Sequence, residues 1–314
     1  MVRYILKRLI LSVPIALAVS VLCFVLVQLA PGDPLSLVLP ADATQAMIDQ
    51  TKQRYGLDKP LPLQYLYWLG NILTGDFGTS ISTGRPVLSE IGIAISYSLA
   101  LAGLASLFGL VLGITFGFVA GYRIGTPTDK IVSAIAISGV SVPHYWLGMV
   151  LVIIFSVNLN AFPAMGAAPG AHPGWLEQLR YMMLPALTLA AMPMGIVTRS
   201  VRALVAETLG MDYVTALVAR GATPFDIFLH IAKNAAPTAL AVIGVQMGYL
   251  MAGSILVETV FSWPGTGLML NGAILQRDIP LLQGTILVLA LFFVVLNLLV
   301  DIVQPLLDPR IKRT

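Results

Sequence analysis

The side chains that could do chemistry in this chain are few and widely separated. Its three histidines, His144, His172 and His230, lie far apart, and its single cysteine, Cys23, lies within an apolar run. The patterns HExxH and GxSxG are absent, so the sequence carries neither a zinc-hydrolase nor a serine-hydrolase motif. None of the lysines follows a glycine, as the lysine of a P-loop must. We therefore expect no catalytic residue, no metal site and no standard ATP site in this chain.

A second set of polar residues interrupts long apolar runs. Buried polar groups are costly in a membrane and tend to face a protein interior or a pathway. Pro143 removes a backbone hydrogen bond and is expected to kink the helix that carries it. At about 1.5 Å per residue, His144 would lie ~20 Å along a straight helix from Ile131, past the membrane midplane. The alternative for His144 and Gln246 is a hydrogen-bonded packing role. The predicted pathway residues are Ser141, Pro143, His144 and Gln246.

The composition indicates that lipid surrounds most of the chain. Hydrophobic residues make up 57% of the 314 residues and charged residues only 11%, and the mean hydropathy is +0.88. Soluble domains carry about 25% charged residues. Six stretches are apolar and long enough to cross a bilayer, which takes about 20 residues: Leu9–Ala30, Ile91–Tyr122, Ile131–Val157, Tyr181–Thr198, Asn234–Val257 and Ile279–Val300. The first exceeds the apolar core of a signal peptide, about 7–15 residues, and predicts a retained span. The sequence predicts an all-α, polytopic membrane protein with six transmembrane helices.

The distribution of Lys and Arg predicts the orientation. With the N-terminus inside, the inner segments hold twelve of the 18 basic residues and the longer outer segments hold six. The positive-inside rule then places both termini in the cytoplasm. The net charge of +3 has this source, because no basic stripe or aromatic motif typical of nucleic-acid binding accompanies it. Arg199 and Arg202, at the inner end of the fourth span, are expected to anchor the helix at the membrane interface, and substrate binding is the alternative.

Residues 212–238, between the fourth and fifth spans, predict a cytoplasmic helix-turn-helix. A first helix should start near Asp212, where the helix dipole favours a carboxylate, with Val214, Leu217 and Val218 on one face. Gly221 fits a left-handed cap, and Thr223-Pro224-Phe225-Asp226 fits the start of a second helix that runs into the fifth span. That helix carries the apolar residues Phe225, Ile227, Phe228, Leu229 and Ile231. Either the segment packs as a structured loop, or it docks a cytoplasmic partner.

The segment resembles the EAA loop of ABC-importer permeases, most closely those of the dipeptide, oligopeptide and nickel subfamily. The matching residues are Asp212-Tyr213-Val214, Ala216, Gly221, His230, Lys233-Asn234-Ala235 and Pro237. Further matches cover almost the whole chain: RYxxKR at 3–8, PGDP at 31–34, GLDxPLxxQY at 56–65, GDFGxS at 75–80, GxSxP at 139–143, PGxG at 264–267, RDxP at 277–280, NLxVD at 297–301 and DPRI at 308–311.

The match departs from the family pattern within the loop itself. Thr215 stands where the EAA glutamate is expected, Leu217 replaces the second alanine, and Val218 replaces an arginine usual in this subfamily. Pro237 comes one residue early. These changes affect the expected polar contacts with a partner and leave the helix-glycine-helix pattern intact.

The resemblance implies a type I ABC-importer permease fold in a bacterial or archaeal cytoplasmic membrane. It implies an N-terminal tail and first span at 1–30, an extracytoplasmic segment at 31–90 and a five-helix core at 91–314, with a coupling loop at 207–236 and an outer scoop-like loop at 258–280. It also implies that the coupling loop docks on a cytoplasmic ATPase through Asp212, Tyr213, Ala216, Arg220, Gly221, Asp226, His230 and Asn234. The outer loop would face a binding protein through Trp263, Pro264, Gly265, Gly267, Arg277 and Asp278.

The same resemblance implies the partners and the cargo. The expected partners are a homologous permease, two ATPase subunits that bind ATP and Mg, and an extracytoplasmic solute-binding protein. Di- or oligopeptides are the expected cargo, with nickel chelates or glutathione as the alternative. A stand-alone ion-coupled carrier is the rival class, and it would need its own coupling-ion site, usually with midplane carboxylates. No Asp or Glu lies within the six predicted spans.

Overall fold

The computed structural model describes the backbone of residues 2–28, 44–46, 59–170 and 174–307. Within these ranges it describes the side chains of 9–25, 44–46, 59–170, 174–223, 225–233 and 254–299, and of Val242, Gln246 and Leu250. The PGDP motif at 31–34, His172 and the DPRI motif at 308–311 lie outside the described residues.

The described part of the chain is helical, which confirms the predicted all-α class. Its helices are α1 (Val2–Gln28), α2 (Leu61–Leu73), α3 (Val87–Tyr122), α4 (Pro127–Ser141), α5 (His144–Leu151), α6 (Trp175–Leu209), α7 (Asp212–Ala219), α8 (Pro224–Val260), α9 (Thr266–Leu275) and α10 (Ile279–Leu307). A π-helical segment, Val152–Asn158, continues α5. An isolated bridge between Thr79 and Pro86 is the only β-pairing among the described residues.

Three helices within the described residues are long and apolar enough to cross a membrane by themselves: Val87–Tyr122, Trp175–Leu209 and Ile279–Leu299. The pair α4 and α5 with its π-helical continuation passes the same criterion together, and Leu9–Val25 in α1 is a shorter apolar stretch. The helix at the fifth predicted span, α8, has 37 residues and includes the second helix of the 212–238 segment, as predicted. Each of the six predicted spans thus contains a helix, and the number of membrane crossings stays a prediction.

The third predicted span is broken rather than kinked. α4 ends at Ser141, α5 starts at His144, and the two directions differ by 111°. The cause is local, because a residue before proline is restricted to extended conformations and Val142 has φ −82° and ψ 128°. The straight-helix estimate that placed His144 ~20 Å along the span from Ile131 is therefore wrong.

The described residues group into two compact units, one of Met1–Tyr97 with Gly265–Leu298 and one of Ser98–Pro264 with Leu299–Thr314. In the first unit, Val87, Ile91, Ala273 and Leu281 form a buried cluster against which Phe77 packs. Gly284 on α10 allows this packing, because a Cβ there would lie 2.7 Å from Val87 Cγ1. The unit also contains the contact between α1 and α2.

In the second unit, α6 is the central helix and contacts α4, α5 and α8. It also packs closely against α3 along a row of glycines. A Cβ on Gly113 would lie 2.8 Å from Val197 Cβ, and a Cβ on Gly117 would lie 2.6 Å from Val201 Cβ. Small residues four apart let two helix backbones approach in this way within a membrane. The valines that face the glycines continue towards the 212–238 segment.

Candidate functional site

The local structure of the 212–238 segment follows the sequence prediction. α7 begins at Asp212, and Gly221 has φ +75°, the left-handed conformation that favours glycine. The Gly221 amide donates to the Val218 carbonyl at 3.0 Å and the Ala222 amide donates to the Leu217 carbonyl at 3.1 Å, the two bonds of a Schellman cap. These bonds satisfy carbonyls at the end of α7 and reverse the chain within three residues.

The second helix of the segment starts with a complete capping box. The Asp226 amide donates to Thr223 Oγ1 at 3.2 Å, and the Thr223 amide donates to Asp226 Oδ2 at 3.1 Å. The Thr223 hydroxyl also donates to Asp226 Oδ2 at 2.7 Å, and these bonds hold the pKa of Asp226 below its usual range. The start of α8 is therefore fixed by residues adjacent to it in sequence.

One side of the segment is buried against α6. Val214 from α7 and Ile227 and Ile231 from α8 join a cluster with the valines of α6, namely Val197, Val201 and Val205. Tyr213, Ala222 and Phe118 pack at its edge. The ring of Phe118 on α3 lies 4.8 Å from that of Phe228 on α8. Because these α6 valines also face the glycine row of α3, the segment is packed onto a pair of helices that are each long and apolar enough to cross a membrane.

The other side of the segment is exposed. Val214 and Val218 lie one turn apart on the same face of α7, as predicted, but Val214 is buried and Val218 is 58% exposed. The packing on α6 therefore covers Val214 and leaves Val218 at the surface. Phe225 is 67% exposed and its ring stacks at 6.3 Å on that of Phe228. The exposed side thus combines apolar and polar groups.

The predicted coupling residues lie mostly on or beside this exposed side. Tyr213 is half-buried, and the backbone of Asn234 is helical while its side chain lies outside the described set. The exposed members are Asp212, Ala216, Arg220, Gly221, Asp226 and His230. The structure therefore presents most of them in one short segment, and their role in coupling stays a prediction.

An ion pair that the sequence did not reveal joins α4 to α6. Arg202 Nε donates to Asp129 Oδ1 at 2.5 Å and Arg202 Nη2 donates to Oδ2 at 2.8 Å, with the arginine side chain 31% exposed and the aspartate 5%. The Gly125 amide and the Ser133 hydroxyl also donate to this carboxylate. The Arg202 guanidinium, and then the Gly125 amide, hold the pKa of Asp129 well below its usual range. Arg202 is therefore an ion-pair residue as well as a helix-end residue.

Three of the predicted pathway residues flank the break between α4 and α5, and the fourth, Gln246, lies on α8. Ser141 and Pro143 are exposed, His144 is half-buried, and Gln246 is buried on α8. α5 packs against α8, so the two elements that carry His144 and Gln246 are neighbours. Pro143 has ψ 134° and begins α5 as its N-cap residue. Their role as pathway residues stays a prediction.

The predicted outer-loop residues differ widely in exposure. Most of them are not on the surface of the loop: Pro264 is half-buried, and the buried members are Trp263, Gly265, Gly267 and Asp278. Arg277 is exposed, with φ +54°. The three residues that precede it, Ile274, Leu275 and Gln276, are exposed as well.

Hydrogen bonds to the Asp278 carboxylate fix the start of α10. Its Oδ2 accepts hydrogen bonds from Ser80 Oγ at 2.6 Å, from Ser82 Oγ at 2.8 Å and from the Ser82 amide at 3.0 Å, while its Oδ1 accepts one from the Leu281 amide at 3.2 Å. Burial alone would raise the pKa of Asp278, but these donors outweigh it and the pKa lies below its usual range. The carboxylate thereby joins segment 75–86 to the α9–α10 turn.

A family model described as a binding-protein-dependent transport system inner membrane component matches residues 113–313. The chain belongs to this family. The N-terminal model of the same transport systems matches residues 1–94. The protein is thus a multi-pass permease of the bacterial inner membrane, which confirms the family resemblance drawn from the motifs.

Several relatives of this permease match it along its whole length. A probable peptide ABC transporter permease of Sinorhizobium fredii is 34% identical over 98% of this chain and 99% of its own. A dipeptide transport system permease of Alkalihalophilus pseudofirmus is 33% identical over 99% and 100%. A glutathione transport system permease of Pectobacterium atrosepticum is 38% identical over 99% of both chains.

A solved structure supports the permease fold. The inward-facing MetNI methionine ABC transporter contains a chain that matches 69% of this permease and 96% of its own length, with a TM-score of 0.57. The identity is 17%, so the likeness concerns the fold alone.

Besides the ion pair of Asp129 and Arg202, two further features of the permease were not predicted from its sequence. The glycine row of α3 stands in the sequence as Gly109, Gly113, Gly117 and Gly121, and this spacing of four is a signal that could have predicted a close helix contact. Glu258 was placed outside the fifth span, yet α8 continues to Val260 and the carboxylate is fully buried, accepting from Ser98 Oγ at 2.7 Å. The helix of the fifth span therefore does carry a carboxylate at its end.

Proposed function

We propose that this permease is one of two membrane subunits of an ATP-driven importer of di- and oligopeptides. A homologous permease would complete the translocation pathway, and two cytoplasmic subunits would bind ATP and Mg. A solute-binding protein would deliver the peptide from outside. This chain would contribute no catalytic residue, because it has no P-loop lysine.

The observation that carries the proposal is the two-sided helix-turn-helix formed by α7 and the start of α8. Its buried side, with Val214, Ile227 and Ile231, packs on the valines of α6. Its opposite side presents exposed side chains such as Arg220 and Phe225. A partner that moved the exposed side would displace α6, because closely packed side chains transmit displacement rather than absorb it.

Peptides are the proposed cargo because the relatives that match the whole chain include permeases named for peptide and dipeptide transport. Glutathione, itself a small peptide, is the cargo in the name of another full-length relative. Glutathione and nickel chelates are the alternatives to test beside longer peptides. The solute-binding protein would impose most of the selectivity.

The test compares two glycine substitutions in the full assembly. Gly221 and Gly125 both have positive φ, +75° and +79°, and at neither does any other group come within 4 Å of the position that a Cβ would occupy. Leucine at either position therefore introduces similar backbone strain without a clash of its Cβ, at a cost of about 1–2 kcal/mol. Only Gly221 lies in the proposed coupling segment. We expect Gly221→Leu to lose bound ATPase subunits or peptide-stimulated ATP hydrolysis, and Gly125→Leu to keep both.

The assay uses the permease purified with its co-expressed neighbours, reconstituted in lipid, with binding protein and a panel of peptides, glutathione and nickel chelates. Stimulation of ATP hydrolysis by one class of solute identifies the cargo. Retention of ATPase and transport by Gly221→Leu would refute the coupling assignment. Loss of both activities in Gly125→Leu as well would refute it too, since strain at either turn would then suffice.

A further inference from the structure

The helix α2 has its apolar side turned outward. Its exposed large side chains are Leu61 at the first residue (56% exposed), Leu63 (44%), Leu66 (59%), Tyr67 (53%) and Leu73 (78%). At about 100° per residue the last four, with Gly70, form one continuous face. The opposite face, with Tyr65 and Trp68, packs against α1. A helix that faced water would carry its charged residues on the outer side, and α2 has none anywhere along its 13 residues.

The contact with α1 fixes where α2 lies along the first span. Tyr65 Oη shares a 2.8 Å hydrogen bond with Ser20 Oγ, and the rings of Tyr65 and Trp68 lie 5.6 Å and 5.8 Å from that of Phe24. Ser20 and Phe24 lie inside the apolar stretch Leu9–Val25. Counted from Leu9 at about 1.5 Å per residue, they stand ~16 Å and ~22 Å along the helix, within the ~30 Å of hydrocarbon.

The surface of α1 around this contact is exposed and apolar, as a surface in contact with lipid would be. Leu17, Val21, Leu22 and Val25 are all exposed, and α1 carries no charged residue between Leu9 and Gln28. The outward face of α2 therefore continues an apolar surface that the first span presents to the bilayer. Tyr65, Tyr67 and Trp68 belong to the residue types that concentrate at membrane interfaces.

The N-terminal end of α2 shows the polar boundary. The Lys59 ammonium lies 3.8 Å from the centre of the Tyr67 ring, a cation–π contact that places a basic group next to the exposed apolar face. Lysine beside an aromatic ring is suited to the headgroup layer, where the ammonium can meet lipid phosphate while the ring stays in the acyl region.

We propose that α2 lies in the outer leaflet beside the first span, with its outward face in contact with phospholipid. Residues 61–73 of the predicted extracytoplasmic segment would then lie in the membrane beside the first span. The immersion anchors the chain just before segment 75–86, which in turn holds Asp278 at the start of α10. The inference does not depend on the cargo or on the ATPase.

The experiment places a fluorophore at Leu66 to determine whether lipid or water surrounds this position. Cys23 is the only cysteine of this chain, so Cys23→Ala makes the permease subunit free of thiols, and the same assembly without an introduced cysteine gives the labelling background of the other subunits. Leu66→Cys is labelled with bimane in the full-length permease, purified with its co-expressed subunits and reconstituted in bilayers of brominated-acyl phosphatidylcholine. Leu22→Cys on α1 serves as the lipid reference, and Thr83→Cys, exposed in segment 75–86, serves as the water reference.

Immersion predicts that bromolipid quenches the Leu66 label within about twofold of the Leu22 label, while iodide quenches it at least about threefold less than the Thr83 label. Iodide quenching equal to that at Thr83 would show a water-facing helix and overturn the proposal. Weak quenching by both agents would also overturn it, because another part of the protein, such as residues 29–58 or a second subunit, would then cover the face. A label at Leu63→Cys repeats the measurement if Leu66→Cys does not assemble.

Discussion

Gly117 offers a sharp test of how closely α3 and α6 pack. A methyl group there would lie 2.6 Å from Val201 Cβ, 2.8 Å from the Thr198 carbonyl oxygen and 2.9 Å from Val201 Cγ1. Ordinary contacts between carbon atoms begin near 3.5–4.0 Å, so Gly117→Ala must push the two helices apart by about 1 Å. Two of the opposing positions are a backbone oxygen and a β-carbon, which no change of side-chain rotamer can move.

The expected cost follows from this overlap. Overpacking of a close-packed interior costs about 1–3 kcal/mol, and the rigid backbone opposite Gly117 favours the upper end of that range. Gly103 lies in the same helix, is exposed, and has nothing within 4 Å of a Cβ. There the same substitution should stabilise by up to about 1 kcal/mol, because alanine is the better helix former. The two variants should therefore differ by about 2–4 kcal/mol.

The assay is thermal unfolding of the permease in one lipid composition, followed by loss of the monodisperse species. Unfolding of membrane proteins is commonly irreversible, so the midpoints are compared at one heating rate and interpreted by rank. We expect Gly103→Ala at or above the wild type and Gly117→Ala clearly below it. Equal midpoints for the two variants would show that α3 and α6 are not in direct backbone contact.

Two further predictions concern buried carboxylates. Asp129→Asn should cost about 1–3 kcal/mol, because it leaves the Arg202 guanidinium without its counter-charge. Because folding lowers the pKa of Asp129, the ion pair stabilises the protein above the unfolded pKa of about 3.9. The difference in thermal midpoint between wild type and Asp129→Asn should therefore stay constant from neutral pH to about pH 5 and shrink only below that value. A difference that disappeared by pH 5 would contradict the assignment. Asp278→Asn should cost about 1.5–3 kcal/mol, since the amide nitrogen cannot accept from Ser80 and Ser82. Faster amide exchange of Ser82 is the measurement, and unchanged exchange would show that the Ser82 amide is protected by other contacts.

The parts of this permease that the sequence predicted are those that depend on neighbours in the chain. The cap at Gly221 and the capping box of Thr223 and Asp226 involve hydrogen bonds across three to five residues, so their residue types suffice. Pro143 likewise marks the break in the third span, because its effect on Val142 is steric and local. The angle of 111° was not predictable, since it depends on how α4 and α5 each pack on α6.

The sequence by itself determined the membrane class, the helix-turn-helix and the family, because hydropathy, capping chemistry and motif spacing are properties of contiguous residues. Only the tertiary structure decided which polar groups are paired and which faces are covered. Asp129 meets Arg202 across 73 residues and Ser98 meets Glu258 across 160, and no local pattern specifies either pair. Val218 and Leu66 are as apolar as other valines and leucines that are buried. Their exposure follows from the shape of the neighbouring helices, which fixes how much of each apolar face finds a protein partner and how much is left for a subunit or for lipid.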